Sequence, residues 1–199
     1  MDKIVRILCI GDSHTAGFPY YDPFYGGDQT SSYEYWLEGK LSKENKQMQF
    51  KIDNKGVCGQ ISSQILSRLS QILEKKKYDF ILLWAGANDI ALGYSADSIW
   101  ENLMKSVRMA KKENTSIFII TIPPMGWTEI QSTVRELNQC IITHSGIDFT
   151  SIDVFNDLSD GYFLNSQFDS GDGVHLSIEG YKKVASIVFN HLCLKIDNY

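Results

Sequence analysis

Ser13, Asp172 and His175 are the residues of this sequence whose types and spacing suit nucleophilic chemistry. A serine hydroxyl attacks poorly until a base takes its proton, and an imidazole serves as that base when a carboxylate fixes its tautomer and steadies the imidazolium that forms. Asp172 and His175 are three residues apart in Asp172-Gly173-Val174-His175. On one turn of chain that spacing brings the carboxylate to the ring Nδ1–H and leaves Nε2 pointing across to Ser13. Acyl transfer also needs donors aimed where the tetrahedral oxyanion develops, and the amides of Ser13 and Gly59 with the Asn88 side-chain amide supply three candidates. Each residue also has an ordinary structural use. Asp12 or Ser13 can cap a helix, Asn88-Asp89 can be a turn and an N-cap, Asp172-Gly173 can be a turn, and His175 can stand at a helix entry.

These residues meet only if separate strands deliver them to one edge. The segment 4–10 is short, apolar and rich in β-branched residues, and reads as a strand buried on both faces, ending in Gly11-Asp12-Ser13-His14-Thr15-Ala16-Gly17. Further strands are expected at 50–53, 78–84, 116–122 and 149–155. Between them lie helical stripes: Tyr33, Trp36, Leu37 and Leu41; Ile61, Ile65, Leu69 and Ile72; Ile99, Leu103 and Val107; Ile130, Val134, Leu137 and Ile141. Tyr181, Val184, Val188 and Leu192 mark a last helix. Ser31 or Ser32 is placed to cap the first of these helices, and His144 to close the fourth. Strand and helix alternating in this way imply a parallel five-stranded sheet with helices on both faces, a three-layer α/β/α sandwich of flavodoxin-like kind. Open sheets of that kind bind ligands at the carboxyl ends of their strands.

The 199 residues read as one domain, 1–199, with 43% hydrophobic content and no linker or repeat. A net charge of −5, with both signs interspersed, provides no basic field for a nucleic acid. Cys9, Cys58, Cys140 and Cys193 match no zinc or CxxC spacing, no apolar run spans a bilayer, and 4–10 is too short for a signal segment. A soluble, cytoplasmic protein without integral membrane contact is expected. The stretch 18–30 has neither helical nor strand period and carries Tyr20, Tyr21, Phe24 and Tyr25, an aromatic wall that, with His14, is a candidate substrate surface.

Four segments together carry a family resemblance: Gly11 to Gly17, Asn54 to Gly59, Gly86-Ala87-Asn88-Asp89, and Asp172-Gly173-Val174-His175. In type and order they resemble the four blocks of the SGNH hydrolases, the GDSL-type esterases and lipases. The resemblance implies a serine acyl hydrolase that uses neither metal nor organic cofactor and acts on a small-molecule ester. It implies Ser13 as nucleophile, His175 as base oriented by Asp172, oxyanion donors at Ser13, Gly59 and Asn88, and sheet order 2-1-3-4-5. His14 stands where the family name places leucine. Gly56 and Gly59 both lie in the second block, and Gly59 is the better match for the oxyanion amide. Two rival readings stand beside it. One is a metal-dependent phosphoesterase using Asp12, His14, Asp89, Asp172 and His175, although four histidines and no G-H-x-H segment leave its ligand set short. The other is a non-catalytic carbohydrate-binding or interaction module on the same fold.

Overall fold

A computed structural model of the chain describes residues 3–196. Its central sheet holds β1 (Lys3–Gly11), β2 (Met48–Gly56), β3 (Phe80–Trp84), β4 (Ser116–Ile120) and β5 (Thr150–Ile152). All four pairings are parallel and the order is β2-β1-β3-β4-β5, the expected 2-1-3-4-5. The two-residue period of the strands sorts their side chains between two cores. Val5, Ile7 and Cys9 of β1, Phe80, Leu82 and Trp84 of β3, and Phe118 and Ile120 of β4 face one side. There they meet α2 (Tyr33–Glu44) through Leu37 and Leu41, and α8 (Ile178–Ile196) through Val184, Val188 and Leu192. Leu8 and Ile10, Ile81 and Leu83, and Ile117 and Ile119 face the other side. These pack on α3 (Ser62–Leu73), α5 (Ala96–Lys112) and α6 (Gln131–Thr143). Each fully buried aliphatic side chain is worth about 1.5–3 kcal/mol, so the sheet is the stiff part of the molecule.

Several boundaries differ from the sequence reading, for local reasons. Strand β2 runs along all nine residues of β1 in spite of its polar Asn54-Lys55, because an edge strand needs partners on only one side. Strand β4 stops at Ile120 because the Asn138 side chain takes both backbone groups of Ile122, at 2.8 Å each, before Pro123. Strand β5 keeps only three residues, since Asp153 turns to accept the Thr121 hydroxyl and the amide of Phe155, where α7 (Phe155–Leu158) begins, both at 3.0 Å. The 18–30 stretch is more ordered than expected. Tyr21–Asp22 pairs antiparallel with Gly26–Gly27, the Asp22 carboxylate accepting the Phe24 and Tyr25 amides, and a 3₁₀ turn follows at Gln29–Ser31. Ser32 caps α2 and His144 closes α6. Among the described residues, no helix is long and apolar enough to cross a membrane.

Candidate active site

Strand β1 ends at Gly11, a position that must be glycine because any side chain there would overlap the Trp84 carbonyl and Thr15 Oγ1. The chain then makes a one-turn helix, α1 (Ser13–Ala16), capped at its start by the Asp12 carboxylate on the His14 amide and closed by Gly17 at φ 104°. That short turn, held between two caps, sets Ser13 at the carboxyl end of β1, 6% exposed. As the first residue of α1, Ser13 has a backbone amide with no intrahelical acceptor.

The turn before α8 faces it. Ser13 Oγ lies 3.0 Å from His175 Nε2, across 162 residues of chain, and His175 Nδ1 lies 2.6 Å from Asp172 Oδ2. A carboxylate only accepts, so the proton sits on Nδ1 and Nε2 is left to accept from the serine hydroxyl. Asp172 Oδ1 also accepts the amides of Val174 and His175, at 2.9 and 2.8 Å. Partial burial alone would raise the Asp172 carboxyl, but the His175 amide and ring with the Val174 amide outweigh it and hold it at about 2. Phe18 sets its ring edge-on against His175, with centroids 4.6 Å apart.

The second block separates its two glycines. The Gly56 amide is spent on Asn54 Oδ1 at 2.9 Å, and Gly56 itself lies hard against the Ala16 backbone. Gly59 sits at φ 77° in open space, and among the described residues no hydrogen bond takes its amide. Arg68 ties this turn to the Ser13 turn, donating to the Lys55 carbonyl, to Gly11 O at 3.0 Å and to Gln60 Oε1 at 3.0 Å. Asn88 rides on α4 (Ala87–Ala91), and one of its two amide hydrogens reaches the Gln60 carbonyl at 3.0 Å, leaving the second free.

A cavity of about 210 Å³ opens beside Ser13, His14, Asn88, Asp172 and His175, and its apolar wall is Ala87, Ala91, Met125, Trp127 and Val174. Tyr20, Tyr21, Phe24 and Tyr25 are not in that wall, and Tyr25 is 94% exposed. His14 reaches the cavity only as its floor, buried, with Nε2 on the Val174 carbonyl. Trp127 and Met125 were missed in the sequence, although they follow the carboxyl end of β4, where the fold places its ligands.

The residues weighed for a metal centre do not gather. Asp89 gives both carboxylate oxygens to Ser62, at 2.6 and 2.7 Å, Asp12 is turned to the His14 amide, and Asp172 is turned to His175. Among the described residues no three His, Cys, Asp or Glu side chains stand close enough to hold an ion.

A parallel 2-1-3-4-5 sandwich with this cleft at its strand ends has the SGNH-type hydrolase fold. The chain belongs to the GDSL-like lipase/acylhydrolase family, whose sequence profile matches residues 9–183. A member of the lipolytic protein G-D-S-L family from Veillonella parvula superposes with a TM-score of 0.78 at 18% identity, over 94% of this chain and 97% of that one. A family 3 carbohydrate esterase from Clostridium thermocellum superposes with a TM-score of 0.72 at 24% identity, over 94% of each chain. Likenesses at such identities are likenesses of fold. An arylesterase from Vibrio mimicus is 27% identical over 121 residues, 60% of this chain. The chain spans just over half, 56%, of the length of the curated relatives it matches.

Proposed function

We propose that the protein is a carboxylic ester hydrolase that removes a short acyl group through an acyl-enzyme on Ser13. The observation that carries this reading is the unbroken relay from Asp172 Oδ2 through His175 to Ser13 Oγ, with contacts of 2.6 and 3.0 Å. In the first step Ser13 Oγ bonds to the ester carbonyl carbon while His175 Nε2 takes the hydroxyl proton. The negative oxygen of the tetrahedral intermediate is held by the Ser13 and Gly59 amides and the free Asn88 N–H. The C–O bond to the alcohol then breaks, and the departing oxygen takes the proton from His175. Water repeats the sequence on the acyl-enzyme and releases the acid.

The size of the cavity supports a small acyl group. About 210 Å³ is the volume of some seven water molecules at about 30 Å³ each. Ala87 and Ala91 leave room for an acetyl or similarly short chain, and the half-exposed Trp127 ring at the mouth suits the flat face of a sugar or aryl leaving group. Acetylated carbohydrate and short aryl esters are therefore the substrate classes to try first. Hydrolysis of p-nitrophenyl acetate, butyrate and octanoate is expected to fall with chain length. Ser13→Ala is expected to lose at least about 10³-fold in kcat/KM, and full retention by that variant would refute the reading.

A further inference from the structure

Two aspartate–histidine pairs stand side by side in this site, and only one of them touches the candidate nucleophile. His14 follows Ser13 directly and is 1% exposed; its ring centroid lies 5.6 Å from that of His175 and 5.1 Å from that of Trp84. Its Nε2 is 3.0 Å from the Val174 carbonyl oxygen, an obligate acceptor, so that nitrogen carries a hydrogen. Its Nδ1 faces Asp12 Oδ1 at 3.4 Å and finds no partner of hydrogen-bond geometry. The same carboxylate oxygen accepts the His14 amide at 3.0 Å. A bare lone pair on Nδ1 would face that oxygen across dry space, where repulsion is barely screened, and a proton on Nδ1 turns the repulsion into attraction.

We infer that His14, held as an imidazolium against Asp12, is a positioning residue that straps the Asp172–His175 turn to the nucleophile turn. The inference rests on the reading of Ser13 and His175 as nucleophile and base. The strap matters because the two turns come from opposite ends of the described chain and share no element. The bonds holding 172–175 include the Gly126 amide on Gly173 O at 2.7 Å, which comes from the β4 side, and His14 on Val174 O, which comes from the residue beside the nucleophile. The charged or titratable groups facing His14 are Asp12 on its own turn and Asp172 and His175 on the opposing one, while Trp84 of β3 adds none. Burial alone would lower the His14 ring, but the Asp12 carboxylate beside it, the Val174 carbonyl and Asp172 together raise it. Leucine, the residue of the family name, would fill the volume and make neither contact.

The test compares the wild type with His14→Leu and His14→Gln, using Ser13→Ala as the blank. His14→Leu is expected to lower kcat about 10-fold or more with KM within about twofold. His14→Gln keeps an N–H for the Val174 carbonyl but not the charge. It is expected to recover most of kcat. Nitrogen NMR of the wild-type ring is expected to show both His14 nitrogens protonated. A neutral His14 ring, a leucine variant with wild-type kcat, or equal loss in both variants would overturn the inference. An active Ser13→Ala would instead remove the triad reading, leaving the NMR result on His14 as it stands.

Discussion

Asp89 holds Ser62 twice, Oδ1 accepting its hydroxyl at 2.6 Å and Oδ2 its backbone amide at 2.7 Å. Asn102 adds a third bond to the same hydroxyl at 2.9 Å. Ser62 opens α3 directly after the Gly59 turn, and Asp89 adjoins Asn88, so one buried carboxylate sets the spacing between two of the proposed oxyanion donors. Replacing it by alanine leaves a buried N–H and a hydroxyl short of a partner, at a cost of about 1–3 kcal/mol. Asp89→Ala is therefore expected to lower the midpoint of denaturant unfolding and, in the folded protein, to cut kcat about 10-fold with a smaller change in KM. Unchanged kcat in the folded variant would show that the two donors are set by other means.

The two glycines of the second block should fail differently. A side chain at Gly56 meets the Ala16 backbone, so Gly56→Ala is expected to lose about 1–3 kcal/mol to overpacking. Gly59 has open space around it, and Gly59→Ala meets only the backbone cost of φ 77°, about 1–2 kcal/mol. Relaxing that strain turns the amide away from the oxyanion, and a missing donor costs about 10²-fold or more in turnover. Thermal melts and kcat measured on both variants should rank Gly56→Ala lower in stability and Gly59→Ala lower in turnover per folded molecule.

Much of the fold was legible because burial on both faces makes β1, β3 and β4 uniformly apolar, and the helices between them carry clear stripes. The four site-bearing segments were legible for a related reason: each is a Gly-bounded polar turn, three of them after a strand and the fourth before the last helix. What escaped has no local period. Asp89 meets Ser62 across 27 residues, Arg68 reaches Gly11 across 57, and His14 reaches Val174 across 160. The hairpin at 21–27 is held by one aspartate on two amides rather than by alternation. Trp127 could have been found from its place after Pro123-Pro124 at a strand end; its ring composition alone did not distinguish it from the more crowded 18–30 stretch.

Asp172 is held ionised to about 2, far below the range in which an imidazole gains its proton. The pH profile of kcat/KM is therefore expected to show no break from this carboxylate until the pH falls toward about 2. Asp172→Asn should lose about 10⁴-fold in kcat, because the amide no longer fixes the Nδ1–H tautomer. A loss of under tenfold would assign orientation of the base to another group.

Glu34 is 5% exposed, and neither carboxylate oxygen finds a hydrogen-bond partner although Tyr33, Cys9 and Ser32 surround it. Burial raises this carboxyl well above the usual range, more than those neighbours lower it, so the folded protein binds a proton that the unfolded chain releases. Stability is then fully present below the unfolded glutamate pKa and declines as pH rises toward the folded value. Glu34→Gln carries no such proton and is expected to flatten the fall of the melting temperature from acidic to alkaline pH. An equally steep fall in the variant would assign that pH dependence elsewhere.

The central claim is that Ser13 carries the acyl group, and covalent capture tests it most directly. The protein is treated with an organophosphorus fluoride, which a triad-activated serine attacks with loss of fluoride, and the adduct is located by peptide mass spectrometry. The expected result is one phosphoryl group per chain, on the peptide containing Ser13, with esterase activity lost in proportion and labelling abolished in His175→Ala. Labelling of another residue, or persistence of ester hydrolysis in fully Ser13-labelled protein, would contradict the account.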